Sequence, residues 1–383
     1  MRKVEQALLD ILKENKGEAY QSELVTRSGF SRSRVSEVLS ELEKNGTLSR
    51  FPLGIGKNYN VVLHTSLNRS NRTKAGKTIR LGFTRAAEYP FIIPFKKLLK
   101  DRLDLDLDLR IYKNGIDVTR DLSHFRLDLG ISPILTQFMF YTLGSPIRII
   151  APAGSGGSSL IVSKAGRNSR MGRLSKGTEF RIASTKISTM ELLMRSSINK
   201  DVVPKKSGVV YTSSPEEMMK DAASHLVDAV CMWEPYATIL LTKKKDDFTR
   251  LIRYRDMGEH LCCGLAAESN LDESLVERVR RVFLESLEKY TASSDSFIGP
   301  YAALTGFSQK LIGRVGSEYS YQQELDSDMI SRQFYRAGLT VPTPFSVRDA
   351  FNFSLTSEPV LELYKERTSG QKIYLTVRPK GNA

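Results

Sequence analysis

Apolar residues over the first forty-five positions recur at helical spacing, and beyond residue 78 they gather into runs of strand length. Val4, Leu8, Leu9, Ile11 and Leu12 make one helical stripe ending near Gly17. A second, shorter helix is expected over "QSELVTRSG", with Ser22 as a candidate cap. Gly29 and Phe30 supply a turn, and Ser31 caps a third helix on which Val35, Val38, Leu39 and Leu42 share a face. Asn45-Gly46 ends that helix, and "TLSRFPL" and "NYNVVL" read as two short strands around the tip "GIGK". From Thr78 strands and helices alternate: "TIRLGF", helix "EYPFIIPFKKLLKDRL", "LDLDLRIYK", "LDLGIS", helix "PILTQFMFYTLG" and "PIRIIAPA". The rhythm restarts with "FRIAST", helix "TMELLMRSSI", "GVVYT", helix "SPEEMMKDAA", "VDAVCMW" and helix "PYATILLTKKK". "LIRYRD" and "HLCCGLAA" follow as strands, and "LDESLVERVRRVFLESLEKYTA" as a long amphipathic helix.

Alternation of this kind predicts an α/β fold with mostly parallel sheet, and two such blocks imply two lobes with a cleft between them. The expected division is a helical and hairpin unit over 1–63, a basic polar linker over 64–77, a two-lobed domain over 78–365 and a polar tail over 366–383. Within the large domain, one lobe takes about 78–163 and 258–365 and the other about 164–257. The linker "HTSLNRSNRTKAGK" has four basic residues, no acids and one large aliphatic residue. As a flexible chain it would span roughly 20 Å.

Charge sharpens the picture. The net charge is +14, and residues 1–77 hold 14 Lys and Arg against 8 Asp and Glu, which favours a polyanionic partner at the front. There, Arg32, Ser33, Arg34 and Ser36 start the third helix behind Ser31. A major groove admits one helix whose first turns present hydrogen-bonding side chains. Arg50 on the first hairpin strand, with Lys57 and Asn58 at the tip, are placed to hold phosphates. The order helix, helix, turn, basic helix, Gly-tipped hairpin is that of a winged helix-turn-helix, and double-stranded DNA is the expected partner. Residues 1–63, through "SRSRVSEVLSELEKNGTLSR", resemble the MarR-like and TrmB-like winged helices, which implies that the third helix is the recognition helix.

Three cysteines, Cys231 and the adjacent Cys262 and Cys263, have no C-x-x-C spacing and fit a reducing compartment. No stretch of 18 apolar residues and no signal-like amino terminus occur in the sequence. A cytoplasmic location and no membrane partner are expected.

"RLGFTRAAEYPFIIPF", "GSPIRIIAPAGSGGSSLIVSK", "KGTEFRIAST" and above all "DAVCMWEPYA" resemble the type II periplasmic-binding-protein fold, closest to its sulfonate, nitrate and thiamine-precursor binding subgroup. The likeness runs over roughly 78–365 and weakens after about 295. It implies a small polar effector: an anion, a sulfonate or a thiamine precursor. The whole is similar in plan to LysR-type regulators, without their opening pattern or linker helix. A ligand-responsive transcriptional regulator follows, acting as a homodimer or higher homo-oligomer.

In open α/β sheets ligands sit beyond the carboxyl ends of strands, near helix N-termini. That rule selects Arg85 and Tyr89, Ser132, Thr185, Ser188 and Thr189, and Trp233 and Glu234 as candidate ligand residues. Gly156, Ser158 and Ser159 join them from "APAGSGGSSL", which reads equally well as a glycine-rich crossing between lobes. Ser188 to Glu191 also fits a capping box.

The four histidines, His64, His124, His225 and His260, have no metal spacing with another Cys or His, and no nucleophile motif is present, so no metal, cofactor or catalytic residue is expected. Two alternatives stand beside the regulator. "HLCCGL" superficially resembles the thiamine-pyrimidine synthase family, an enzyme on the same two-lobed fold, but the cysteine run of that family is absent. The other is a non-catalytic binding or scaffold module.

Overall fold

The structure is a computed structural model that describes residues 2–15, 17–45, 47–52, 59–63, 78–143, 145–164, 180–339, 362–367 and 373–378. Lys57 and Asn58 at the expected hairpin tip, and the linker 64–77, lie outside the described residues.

The first unit is built from α1 (Arg2–Glu14), β1 (Glu18–Tyr20), α2 (Gln21–Ser28), α3 (Arg32–Lys44), β2 (Leu48–Pro52) and β3 (Tyr59–Leu63). The three strands form an antiparallel sheet in the order β1-β3-β2. Leu8 and Leu12 of α1, Leu24 of α2, Val35 and Leu39 of α3 and Val61 of β3 are wholly buried together, which is why the helical stripes fold onto one another. Gly29 ends α2 at φ 71°, and the Ser31 side chain accepts the Arg34 N–H to cap α3.

The large domain holds two five-stranded sheets. The first runs β5 (Asp106–Tyr112), β4 (Thr78–Thr84), β6 (Leu129–Pro133), β14 (Cys263–Glu268), β7 (Ile147–Pro152). The second runs β11 (Ser207–Thr212), β10 (Phe180–Thr185), β12 (Ala229–Trp233), β9 (Ser158–Ser163), β13 (Phe248–Arg253). In each sheet one strand runs against its neighbours, β14 in the first and β9 in the second. Both antiparallel strands are the chain's first strand after a crossing between sheets.

Ser158–Ser163 therefore belongs to the second lobe, and the first crossing lies at 154–157 rather than after 163. Gly154–Gly156 forms β8, which pairs with β15 (Tyr319–Tyr321). Gly156 and Gly157 take φ 91° and 63°, which favours glycine, and turn the chain into β9. A Cβ at Gly157 would lie 2.0 Å from the Tyr319 ring. Residues after 295, where the family resemblance weakens, fold as α11 (Asp295–Thr305), α12 (Gln309–Gly316), β15 and α13 (Ser327–Arg336).

Helices cover the sheets: α4 (Ile92–Leu103), α5 (Gly115–Ser123), α6 (Ile134–Thr142) and α10 (Glu273–Ala292) on the first, α7 (Thr189–Asn199), α8 (Pro215–Ala223) and α9 (Tyr236–Lys243) on the second. Phe283 of α10 meets Phe91 and Phe95 edge-on at 5.4 and 5.3 Å in the first core. In the second core Leu160, Ile182, Leu193 and Phe334 are buried together. Part of the expected tail forms a hairpin-like pair, β16 (Glu362–Arg367) with β17 (Ile373–Arg378).

Replacing Gly157 tests the crossing. Gly157→Ala should lower the unfolding free energy by about 2 kcal/mol or more, from left-handed strain and the clash with Tyr319. In a double-mutant cycle by urea denaturation, Tyr319→Ala should recover part of that loss. Strict additivity would show that the ring does not constrain the turn.

Candidate functional site

A cavity of about 330 Å³ opens where the carboxyl ends of parallel strands from both sheets face each other. From the first sheet it takes Thr84 at the end of β4 and Pro133 at the end of β6; from the second, Thr185, Thr212 and Trp233 at the ends of β10, β11 and β12. Each of these strands is followed by a helix, so helix N-termini converge on the same space. Gly115–Asp117 begin α5 behind the cap Asn114, whose side chain accepts the Asp117 N–H at 2.9 Å. Thr136 lies in the first turn of α6, and Thr189 and Met190 begin α7. Ser213 stands just ahead of Ser214, the cap of α8.

The residues predicted from sequence separate into two groups. Tyr89, Thr185, Ser188, Thr189 and Trp233 line the cavity. Ser188 Oγ accepts the Glu191 N–H at 3.3 Å and donates to the Thr185 carbonyl at 2.7 Å, so it caps α7 while facing the cavity. The Glu191 carboxylate reaches Ile187 N rather than the Ser188 N–H, at 2.5 Å. Trp233 donates its indole N–H to the Arg85 carbonyl at 3.2 Å, across the two lobes.

Arg85, Ser132, Gly156, Ser158, Ser159 and Glu234 do not line it. Arg85 lies over the Phe307 ring at 4.4 Å and donates to the Thr305 carbonyl. Ser132 is buried against Thr119 at 2.9 Å. Gly156 belongs to the crossing, where its N–H donates to His260 Nε2 at 3.1 Å. Ser158 and Ser159 are buried within β9, opposite Trp233 and Met232. Glu234 is 1% exposed and paired with Arg250 at 2.6 Å. These positions share a strand-end address with real cavity residues, but each is committed to an internal partner.

Sequence reasoning missed the α5 contribution, although Asn114 followed by Asp117 is a local cap signal. It also missed Glu88, which no local pattern marks. Glu88 is 3% exposed and lines the cavity beside Cys262 and Cys263. Burial pushes its carboxyl up to about 7, partly offset by the thiols of Cys263 and Cys262. The Cys263 thiol donates to Glu88 Oε2 at 3.4 Å, and the Tyr89 hydroxyl lies 3.1 Å from Cys263 Sγ.

His260 takes no part in this cluster. Its Nε2 accepts from the crossing and its ring lies 4.2 Å from that of Tyr254. Burial holds its pKa down to about 4, so it is a neutral acceptor. Cys263–Glu268 is buried along its whole length, as an inner strand.

In the first unit, Ser31, Arg32 and Ser33 are exposed at the start of α3, with Ser36 half-buried one turn on. Arg34 is paired with Glu37 at 2.6 Å. Arg50 is tied to α3 through Glu43 at 2.7 Å and Ser40 at 3.0 Å, and lies over Tyr59. Its role in the fold is to clamp β2 onto that helix. Among the described residues no helix is long and apolar enough to cross a membrane.

Residues 1–63 match a family described as a domain of unknown function (DUF7343). Comparison with curated proteins finds no match. Solved structures do match the large domain. The alkanesulfonate-binding protein SsuA from Xanthomonas axonopodis pv. citri, bound to MOPS, is 18% identical with a TM-score of 0.57, over 72% of this chain and 98% of that one. The periplasmic aliphatic sulphonate binding protein SsuA from Escherichia coli is 14% identical with a TM-score of 0.59, over 78% and 98%. The periplasmic nitrate-binding protein NrtA from Synechocystis PCC 6803 is 13% identical with a TM-score of 0.51, over 65% and 74%. At such identities the likeness is one of fold: this chain carries the two-lobed α/β fold of the sulfonate- and nitrate-binding proteins.

Proposed function

We propose that the protein is a cytoplasmic one-component transcriptional regulator, in which a winged helix-turn-helix over 1–63 binds duplex DNA and the two-lobed domain binds a small polar effector. The observation that carries the sensing half is the cavity itself, where both sheets present strand ends and helix N-termini to one volume. Backbone N–H groups at helix starts favour an anionic group. Lys186 lies on the same rim. Ile116, Met190, Tyr211 and Trp233 give the rest of the wall an apolar and aromatic character. That combination suits an organic anion, such as a sulfonate, or a flat thiamine-precursor-like ring better than a bare inorganic ion.

Support for the DNA-reading half comes from topology and charge. Two helices joined by a turn at Gly29 and Phe30 lie between β1 and β2 of a three-stranded sheet, and the exposed start of α3 offers Arg32 and two serines. Arg50 serves the clamp described above, so base and phosphate contacts fall to the first turns of α3 and to the tip bearing Lys57 and Asn58. The active species is a homodimer, with effector binding shifting the balance between two placements of its DNA-reading units.

Arg32→Ala should weaken duplex binding by about 1 kcal/mol or more and reduce the salt slope by roughly one, with effector affinity unchanged. Fluorescence anisotropy over a salt series measures both. Affinity that is indifferent to salt would overturn the DNA-reading half. For the sensing half, Trp233 is the only tryptophan of the chain and lines the cavity. Titration with sulfonates, oxyanions and thiamine-type pyrimidines should give a saturable change in its emission and a raised melting temperature for one class. Silence from every class in both measurements would overturn it.

A further inference from the structure

At the inner end of the cavity, three side chains brought together from distant parts of the chain form a set that the sequence spacing does not announce. Cys262 and Cys263 are adjacent, and their Sγ atoms lie 3.5 Å apart. Glu88, far away in sequence, places Oε2 3.4 Å from Cys263 Sγ. One donor atom from each of the three lies within 4.8 Å of the others. All three residues are buried, yet all border the cavity.

Two of the three spacings, 3.5 and 3.4 Å, are close to those of ligands around a tetrahedral ion. With metal–sulfur bonds near 2.3 Å and metal–oxygen bonds near 2.0–2.2 Å, neighbouring donor atoms stand roughly 3.5–3.8 Å apart. The second carboxylate oxygen supplies an independent sign. Glu88 Oε1 is buried and has no hydrogen bond of full geometry, only a weak contact with the Gly154 backbone. It faces Gly154, where a Cβ would lie only 2.6 Å away. A buried carboxylate oxygen without a well-placed donor normally costs free energy, and a cation would relieve it.

We propose that Glu88, Cys262 and Cys263 form a binding site for a thiophilic divalent metal ion, such as zinc or cadmium, with a fourth coordination position open to the cavity. Two thiolates and a carboxylate carry three negative charges, which a divalent ion offsets better than a monovalent one. Binding releases the two thiol protons, and any proton on the Glu88 carboxyl, to solvent and changes no oxidation state. Two hydroxyl groups stand close enough to donate to metal-bound thiolates. The Tyr89 hydroxyl is within 3.1 Å of Cys263 Sγ, and Thr189, 3.4 Å from Cys262 Sγ, sits in the first turn of α7, the positive end of that helix. Three protein ligands with an open fourth position is the arrangement that lets a bound metal hold a small ligand. The site borders the effector cavity but does not rest on the regulatory reading, since it can be tested without DNA or effector.

The experiment uses the full chain, reduced and stripped with a chelator, titrated with Cd²⁺ and separately with Co²⁺. One equivalent of Cd²⁺ should raise a thiolate-to-metal charge-transfer band, and Co²⁺ should give the visible bands of a tetrahedral ion. Cys262→Ser and Cys263→Ser should each lose most of the band, and Glu88→Gln should weaken binding by about tenfold or more while keeping it. Cys231→Ser, whose buried thiol is outside the cluster, should behave as the parent. Melting curves of the chelated variants separate lost sites from lost folds, and the parent titration stands whether or not a variant folds. No charge-transfer band in the parent, or a band that survives Cys262→Ser together with Cys263→Ser, would overturn the site. Imidazole should shift the cobalt bands; bands indifferent to it would overturn the open fourth position. Failure of DNA binding or of effector titration leaves these results untouched.

Discussion

The large domain turns on a single residue, Glu234, where the second sheet meets everything else. Its carboxylate is almost fully buried and is held by Arg250 of β13 at 2.6 Å and by the Thr238 N–H of α9 at 2.9 Å. Its peptide unit reaches further. The N–H donates to the Gly157 carbonyl at 2.7 Å, and the carbonyl accepts from the Ala87 N–H at 3.0 Å and the Tyr319 hydroxyl at 3.1 Å. Four stretches of chain, at 87, 157, 250 and 319, therefore converge beside Trp233. Leaving such a charge without its partner costs on the order of 3–5 kcal/mol. Burial raises the Glu234 pKa, while Thr238 and Arg250 act in the opposite sense. This junction fixes how far apart the strand ends of the two sheets stand, and so fixes the cavity.

Glu234 also shows why the site was only partly legible. Strand, turn and helix boundaries are local, so Thr185, Ser188, Thr189 and Trp233 could be placed at strand ends from the sequence, and they do border the cavity. Arg85, Ser132 and Glu234 have the same local address. What separates them is the partner each finds: the Thr305 carbonyl and Phe307 ring for Arg85, Thr119 for Ser132, Arg250 for Glu234. Only the fold supplies those partners. Glu88 is the converse case: the sequence sets it at the start of a helix, whereas it lies ahead of α4 and takes its character from Cys262 and Cys263 at the start of β14.

The fold itself was more legible, since period and length carry it. The apolar stripes of α1 and α3 and the strand runs β4 to β7 and β10 to β14 follow from spacing alone. Three features escaped for different physical reasons. β1 is three residues long, too short to show a period. α5 was hidden because its apolar face is narrow, although Asn114 marks its start. The direction and neighbours of β9 are set by the crossing at Gly156 and Gly157, where positive φ and the Tyr319 ring leave no room for a side chain. The glycines read as a place for close approach to a ligand are instead needed for close approach to the chain's own Glu318 carbonyl and Tyr319 ring.

The cavity that results is divided in charge. Helix N-termini and Lys186 make one part receptive to anions, whereas Glu88 and the two thiols make the inner end a concentration of acidic donors. An anion reaching the inner end would meet a carboxyl group and two thiols in place of the N–H groups of the rim. On the metal proposal, a divalent ion held by Glu88, Cys262 and Cys263 would turn the same surface into an electrophilic one. The open coordination position would then face a ligand whose anionic group is already oriented by the helix starts. Read together, the rim and the inner end describe a ligand with two points of attachment, one to backbone N–H groups and one to a metal. The apolar wall of Trp233, Tyr211 and Met190 would lie between them.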